Sequence, residues 1–262
     1  MKKFLALMLT FVVASAFVAG CGGDKAATKK EAGKKIVVGL DDNFPPMGFK
    51  NEKNEIVGFD IDMAKEAAKR LGRPVEFKAI DWSSKEAELK SGRIDVIWNG
   101  LNITEERKKN MLFSNPYMEA KQLIFIPAGS PVKGQADLAG KVIGIQSAST
   151  AEQNLENDKA FAGTLKEVKK YPDCIAAMMD MEAGRVDAII TDEIVGRYYM
   201  EKKPGKFVAL EKPVGPIGSF GIGFRLDDKA LQADIQKVLD EMKKDGTSAK
   251  ISKQWFGADI VK

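Results

Sequence analysis

Arg107 sits in the phrase NITEERKK, residues 102–109, where Thr104 reads as a helix N-cap and Glu105 and Glu106 as first-turn acids. A cation in that first turn meets an unfavourable dipole, so the residue is either a solvated surface arginine or one held there for a ligand. A second helix start lies in SASTAEQNLE, residues 147–156, with Ser149 and Thr150 at its end. Free N–H groups at such an end welcome an anion, and capping alone is the simpler role. An arginine fork and a helix N-terminus brought together suit a carboxylate. The chain has no histidine, which removes Ser-His and Cys-His nucleophile pairs and His-ligated metal sites. Its two cysteines are Cys21 and Cys174. Cys174, beside Ile175, reads as a small core residue.

The elements that must position these groups alternate. Strand-like runs are KIVVGL, VEFKAI, IDVIWN, LIFIPA, KVIGIQ, VDAIIT, KFVAL and FGIGFR, with helical runs such as DIDMAKEAAKRL and KALQADIQKVLDEMKK between most of them. That alternation predicts an α/β fold with largely parallel sheets. One phrase is written twice, SGRIDVIWNG at residues 91–100 and AGRVDAIITD at 183–192, each after a helical run. Upstream of each copy stands a second echo, GKKIVVGL from Gly33 and GKVIGIQ from Gly140. Two echoes in the same order point to a duplicated α/β unit and thus to two similar lobes. Ligands of open α/β sheets lie beyond the carboxyl ends of the strands. That rule selects residues 41–44, 81–83 and 99–102 in the first half, and 146–150, 171–173 and 191–192 in the second.

With 262 residues and 44% hydrophobic content, the chain fits one large or two small domains. Its net charge of +4 is concentrated in the first 35 residues, where seven lysines face Asp24 and Glu31, leaving −1 for the rest. The folded part carries no basic stripe, which argues against nucleic acid as a partner. Residues 1–20 carry two lysines, an apolar run from Phe4 to Phe17 and then small residues, the pattern of an export signal. From Cys21 to residue 34 the composition is that of a flexible tether.

The combination of GFDIDMAKEAAKRLG, NITEER, LFSNPY, GRVDAIITDE and the terminal QWFGAD resembles the polar amino-acid-binding family of ABC importers, the extracytoplasmic solute-binding proteins. VAGC, ending at Cys21, is similar to the lipobox of bacterial lipoproteins. The resemblance implies a two-lobed type II periplasmic-binding-protein fold, two similar α/β lobes joined by a double-crossing hinge. Lobe 1 would take residues 35–117 and 221–262, lobe 2 residues 122–215, and the hinge residues near 118–121 and 216–220. It implies a monomeric, non-enzymatic binding protein without cofactor or metal. The protein would be held outside the cytoplasm by a lipid on Cys21, delivering a free L-amino acid to an ABC permease and its ATPase subunits. A sensory role with a membrane receptor, or a dehydratase-like enzyme using Asp41 or Asp42, are the alternatives from other function classes.

Carried over residue by residue, the resemblance assigns Arg107 and Thr150 to the ligand α-carboxylate, and Asp192 and the Gly100 carbonyl to its α-ammonium. Asn102 stands where the family has Thr or Ser, and Ala148 where Gly is commoner. Phe44 and Trp82 align with aromatic positions that sandwich the ligand side chain, Asp41 with an acid at its far end, and Gln146 with a further side-chain contact. Asp42 could substitute for Asp41, FPPMGF reads as a rigid turn, and Trp98 belongs to the core. An acid facing aromatic rings predicts a cationic ligand such as arginine or lysine, glutamine or another polar side chain second, and acidic ones excluded.

Overall fold

The structure, a computed structural model, describes residues 33–262. The export signal, Cys21 and the tether up to residue 32 lie outside the described residues. Two five-stranded sheets carry the fold. Across the first sheet the order is Val75–Ala79, Ile36–Leu40, Val96–Ile97, Gly223–Phe224 and Leu112–Phe113. The second runs Glu167–Tyr171, Val142–Gln146, Ala188–Asp192, Gln122–Pro127 and Phe207–Leu210. In each, three parallel strands adjoin antiparallel partners, so the sheets are mixed rather than largely parallel. A two-stranded ribbon, Met118–Ala120 against Gly218–Phe220, joins the lobes where the chain crosses between them.

The duplicated phrase occupies the same place in both lobes. Gly92 and Gly184 close the preceding helices with φ of 74° and 70°, left-handed values that a side chain resists. Asp95 then accepts from the Val37 N–H at 2.9 Å, and Asp187 from the Val142 N–H at 2.8 Å. Each aspartate thereby ties the third parallel strand to the central one, and the arginine before it reaches back to an acid of the helix, Arg93 to Glu88 and Arg185 to Asp180. The repeat is a joint between helix, turn and sheet. Its chemistry is structural until the chain runs past it into residues 99–102 and 191–192.

The helix Lys229–Lys244 places Leu231, Ile235, Val238, Leu239 and Met242 on one buried face, at the spacing of an amphipathic helix. That face shares an apolar cluster with Ile36, Val38, Phe59 and Phe224 of the first lobe, each buried side chain contributing about 1.5–3 kcal/mol. In the second lobe one cluster gathers Ile124, Ile143, Leu155 and Ile190, and another Phe125, Met178, Met181 and Ile189. The strand Glu167–Tyr171, reading EVKKY, has no apolar run and is absent from the strand-like runs, although the strand-end rule selects residues 171–173 at its close. It is an edge strand in which Lys170 is exposed and Lys169 half-buried, bonded to the Arg185 carbonyl. The predicted helix after Thr104 is a single 3₁₀ turn, Arg107–Lys109. Its N-cap position is Glu106 rather than Thr104, although Thr104 Oγ1 still accepts from the Arg107 N–H at 3.2 Å. Residues 45–47 of FPPMGF form a turn between two short paired strands, Asn43–Phe44 and Gly48–Lys50.

Candidate functional site

Strand ends of both lobes face each other across a closed cleft. Arg107 is buried, 6% exposed. Its Nη1 donates to the Asn102 carbonyl at 3.0 Å and across the cleft to Thr150 Oγ1 at 3.2 Å, and its Nη2 to the Ala148 carbonyl at 3.2 Å. Such engagement rules out the solvated surface arginine. Thr150 opens the helix Thr150–Asn157, whose N-cap Ser149 accepts from the Glu152 N–H at 3.1 Å. Capping thus falls to Ser149, which leaves the Thr150 hydroxyl to the cleft. Ala148 holds φ at 55°, a left-handed value that costs a residue with a Cβ about 1–2 kcal/mol. Its own N–H donates to the Glu152 carboxylate, and the carbonyl points at lobe 1.

Asp192 ends the strand Ala188–Asp192 and precedes the helix Glu193–Lys202, yet its side chain makes no capping bond. Its Oδ1 accepts instead from Asn102 Nδ2 at 3.0 Å, across the cleft, and from Gln122 Nε2. Burial pushes its carboxyl up to about 6, against the bonds from Asn102 and Gln122 and the charge of Arg107. Gly100 takes φ of 57° and donates to Asp60 at 2.7 Å. A Cβ there would meet the Phe44 ring at 2.7 Å, so this position needs glycine twice over.

At the other end, Asp41 Oδ1 accepts from the Asn43 N–H at 2.9 Å and Oδ2 from Gln146 Nε2 at 2.7 Å. Gln146 also donates to the Pro172 carbonyl at 3.1 Å. Burial raises the Asp41 carboxyl to about 6, with the bonds from Asn43 and Gln146 opposing and the charges of Asp173 and Asp42 adding. Asp42 pairs with Lys50 instead, which leaves Asp41 as the cleft acid. Phe44 and Trp82 are buried at 6% and 7% exposure in separate apolar clusters, Phe44 with Met47 and Trp98, Trp82 with Leu89, Ile94 and Met111.

Several groups escaped the sequence reading. Gln122, a polar residue opening the apolar run QLIFIP, holds Asp192 and carried a faint signal. Asn43 and Asp173, inside the strand-end segments but not singled out, bond across the cleft at 3.3 Å. Cys174 is buried as expected, and its sulfur also lies 3.2 Å from Thr191 Oγ1 and 3.6 Å from Gln146 Oε1. Lys85, first residue of the helical run KEAELK, is not singled out by the sequence and is 3% exposed. Trp98 is in the core as read. A hollow of about 730 Å³ lies outside the cleft, beside the ribbon joining the lobes, lined by Met118, Glu193, Tyr198 and Trp255. Among the described residues no cluster of acids and cysteine offers a metal site, and no helix is long and apolar enough to cross a membrane.

Residues 36–258 match the sequence model of the bacterial extracellular solute-binding proteins, family 3. The chain is 31% identical over 263 residues to the L-cystine-binding protein TcyJ of Escherichia coli K12, covering all of this chain and 97% of that protein. Among solved structures, an ABC uptake transporter substrate-binding protein from Streptococcus pneumoniae with bound histidine superposes with a TM-score of 0.83 at 33% identity. That match covers 87% of this chain and 94% of the other. An ancestral arginine-binding protein bound to glutamine superposes at 0.79 with 43% identity, covering 85% and 98%.

Proposed function

The chain belongs to the bacterial extracellular solute-binding proteins, family 3, and from that premise we propose that it captures a polar L-amino acid between its lobes for an ABC importer and catalyses no reaction. The observation that carries the reading is the convergence, in one buried cleft, of the Arg107 fork with Thr150 from the opposite lobe and with Asp192 freed from capping. Arg107 and Thr150 hold the α-carboxylate, and Asp192 with the Gly100 carbonyl holds the α-ammonium. Both pairings are charge-assisted, and Asn102 supports them by donating to Asp192. Phe44 and Trp82 flank the side chain, and Asp41 with Gln146 meets its far end. Capture closes the lobes about the ribbon at residues 118–121 and 216–220, the usual motion of such a hinge. A cationic side chain is favoured, an amide second. Proteins similar to this one are named for cystine and arginine, and one is seen with histidine.

Residues 1–20 export the chain and Cys21 carries the lipid that keeps it at the membrane, beside the permease. Replacing Cys21 by Ser should release the protein into the soluble fraction; retention in the membrane would defeat the anchor. Ligand choice is tested by thermal shift against arginine, lysine, histidine, glutamine, cystine and glutamate. A ligand at 100 times its dissociation constant adds about 2.7 kcal/mol. Stabilisation by glutamate above arginine, or by none of the panel, would overturn this reading.

A further inference from the structure

The helix Lys85–Lys90 begins with a lysine that the scheme above does not use. Its Nζ lies 5.0 Å from the Trp82 ring centroid, donates to the Trp82 carbonyl at 3.2 Å, and donates across the cleft to the Ala148 carbonyl at 2.9 Å. That carbonyl is the one Arg107 Nη2 holds. Two cationic groups of lobe 1 therefore share a single acceptor of lobe 2, presented by a backbone in the left-handed region. The charged groups around the amine are all turned elsewhere. On its own segment, Asp81 accepts from Ser83 and Glu86 from Asn110. From the facing helix, Glu152 accepts from the Ala148 N–H and pairs with Lys170. Arg107, from its 3₁₀ turn, adds a like charge.

We propose that Lys85 is a positioning residue that latches the closed cleft, its amine pinning the Ala148 turn of lobe 2 against Arg107 and Trp82 so that the bound carboxylate stays covered. This rests on the amino-acid-binding reading. The latch lies on the rim of the cleft, in a small cavity of about 200 Å³ that Glu86, Ala148 and Glu152 also line. When the lobes part the amine loses Ala148 and regains water, while the Trp82 carbonyl, three residues away in its own lobe, stays within reach. The contact is therefore specific to closure.

Burial, with Arg107 adding, lowers the Lys85 amine from its ordinary 10.5 to about 7 in the closed form, against the pull of Glu86, Glu152 and Asp81. The sign of the coupling follows. Below pH 7 the amine is charged in both forms, and above 10.5 it is neutral in both. Between these limits closure releases a proton, so affinity rises with pH. A neutral amine still donates to a carbonyl, and the latch survives deprotonation. With no histidine in the chain and the Cys174 thiol pushed well above its ordinary range by burial, few other groups titrate there. Asp60, raised to about 7 by burial, lies behind Gly100 away from Lys85, and any slope it causes persists without the lysine.

Arginine is the probe, titrated calorimetrically into wild type, Lys85→Met and Lys85→Arg at pH 7 and about pH 8.5, with slopes compared between the proteins so that titration of the ligand's own ammonium cancels. Wild type should tighten about tenfold more than either variant across that interval, since neither variant carries a residue-85 amine that titrates there. Stopped-flow dissociation should be about tenfold faster for Lys85→Met than for wild type, with unchanged thermal unfolding of the free protein. A wild-type slope retained in Lys85→Met, a flat wild type, or equal dissociation rates would overturn the latch. Should Lys85→Met not fold, the slope of wild type against Lys85→Arg decides alone. If arginine and the rest of the amino-acid panel fail to bind wild type, the functional reading falls and the latch with it, an outcome distinct from binding without a slope.

Discussion

At the Arg107 end of the cleft cations cross between lobes to a backbone carbonyl and a hydroxyl, Ala148 and Thr150, beside one amide–carboxylate pair, Asn102 with Asp192. At the Asp41 end they are carboxylates meeting side-chain amides, Gln146 on Asp41 and Asn43 on Asp173. A backbone carbonyl and a guanidinium keep their charge character at any physiological pH, whereas the Asp41 carboxyl, raised to about 6, stands within reach of protonation. Amides can also turn over, exchanging donor for acceptor at little cost. Apart from the Lys85 amine and the Asp192 carboxyl, the first end is therefore fixed, and it suits what every amino acid has in common. The second is adaptable and suits what differs among them.

The largest effect expected from this division is at Arg107. Arg107→Ala should abolish measurable binding of every amino acid, a loss of about 2–5 kcal/mol, because the ligand carboxylate is left uncompensated in a buried site. Calorimetry checks it, and unchanged unfolding temperature shows that the fold remains. Selective loss of one ligand class would mean that this end, too, reads the side chain.

Asp41→Asn should act on the other end alone, weakening arginine by about tenfold and glutamine by under threefold, since the amide keeps hydrogen bonding and loses charge. The wild-type pH profile sharpens this. A carboxyl whose value rises from 3.8 in water to about 6 on closure carries the whole cost of its charge above about 6 and none below 3.8. A cationic side chain offsets that cost and an amide does not. The ratio of arginine to glutamine affinity should therefore climb as pH rises from about 4 to 6, then level, and be flat in Asp41→Asn. A flat wild-type profile would remove Asp41 from ligand choice.

Ala148→Gly should do least. Relief of the left-handed alanine, worth about 1–2 kcal/mol, is partly cancelled by the freedom glycine gains in the unfolded chain, leaving up to about 1 kcal/mol of added stability in chemical denaturation. Any change in affinity should be alike for all ligands, because the turn serves the common end.

Much of this was legible in the residues. The alternation of apolar runs gave two sheets because strand and helix periods are local properties. The doubled Gly-Arg-x-Asp phrase marked equivalent joints because a left-handed glycine and a strand-tying aspartate leave a fixed spacing behind. Arg107 and Thr150 stood out as charge and hydroxyl at element starts. The run of the edge strand Glu167–Tyr171 did not, since EVKKY is mostly charged and an edge strand needs no apolar run.

What the sequence by itself determined, then, is everything that follows from neighbours along the chain: the two α/β units, their joints, and the strand ends where a ligand would sit. Only the tertiary structure decided which lobe's groups meet. Asp42 went to Lys50 and left Asp41 to the cleft, Asp192 gave up capping for Asn102 and Gln122, and Lys85 became a buried bridge. Each outcome depends on a partner 8 to 90 positions away, as with Asp42 and Lys50 at the near end and Asn102 and Asp192 at the far end. Spacing along the chain carries no record of such meetings, because a side chain's type states what it can bond and the closed fold alone supplies the other half.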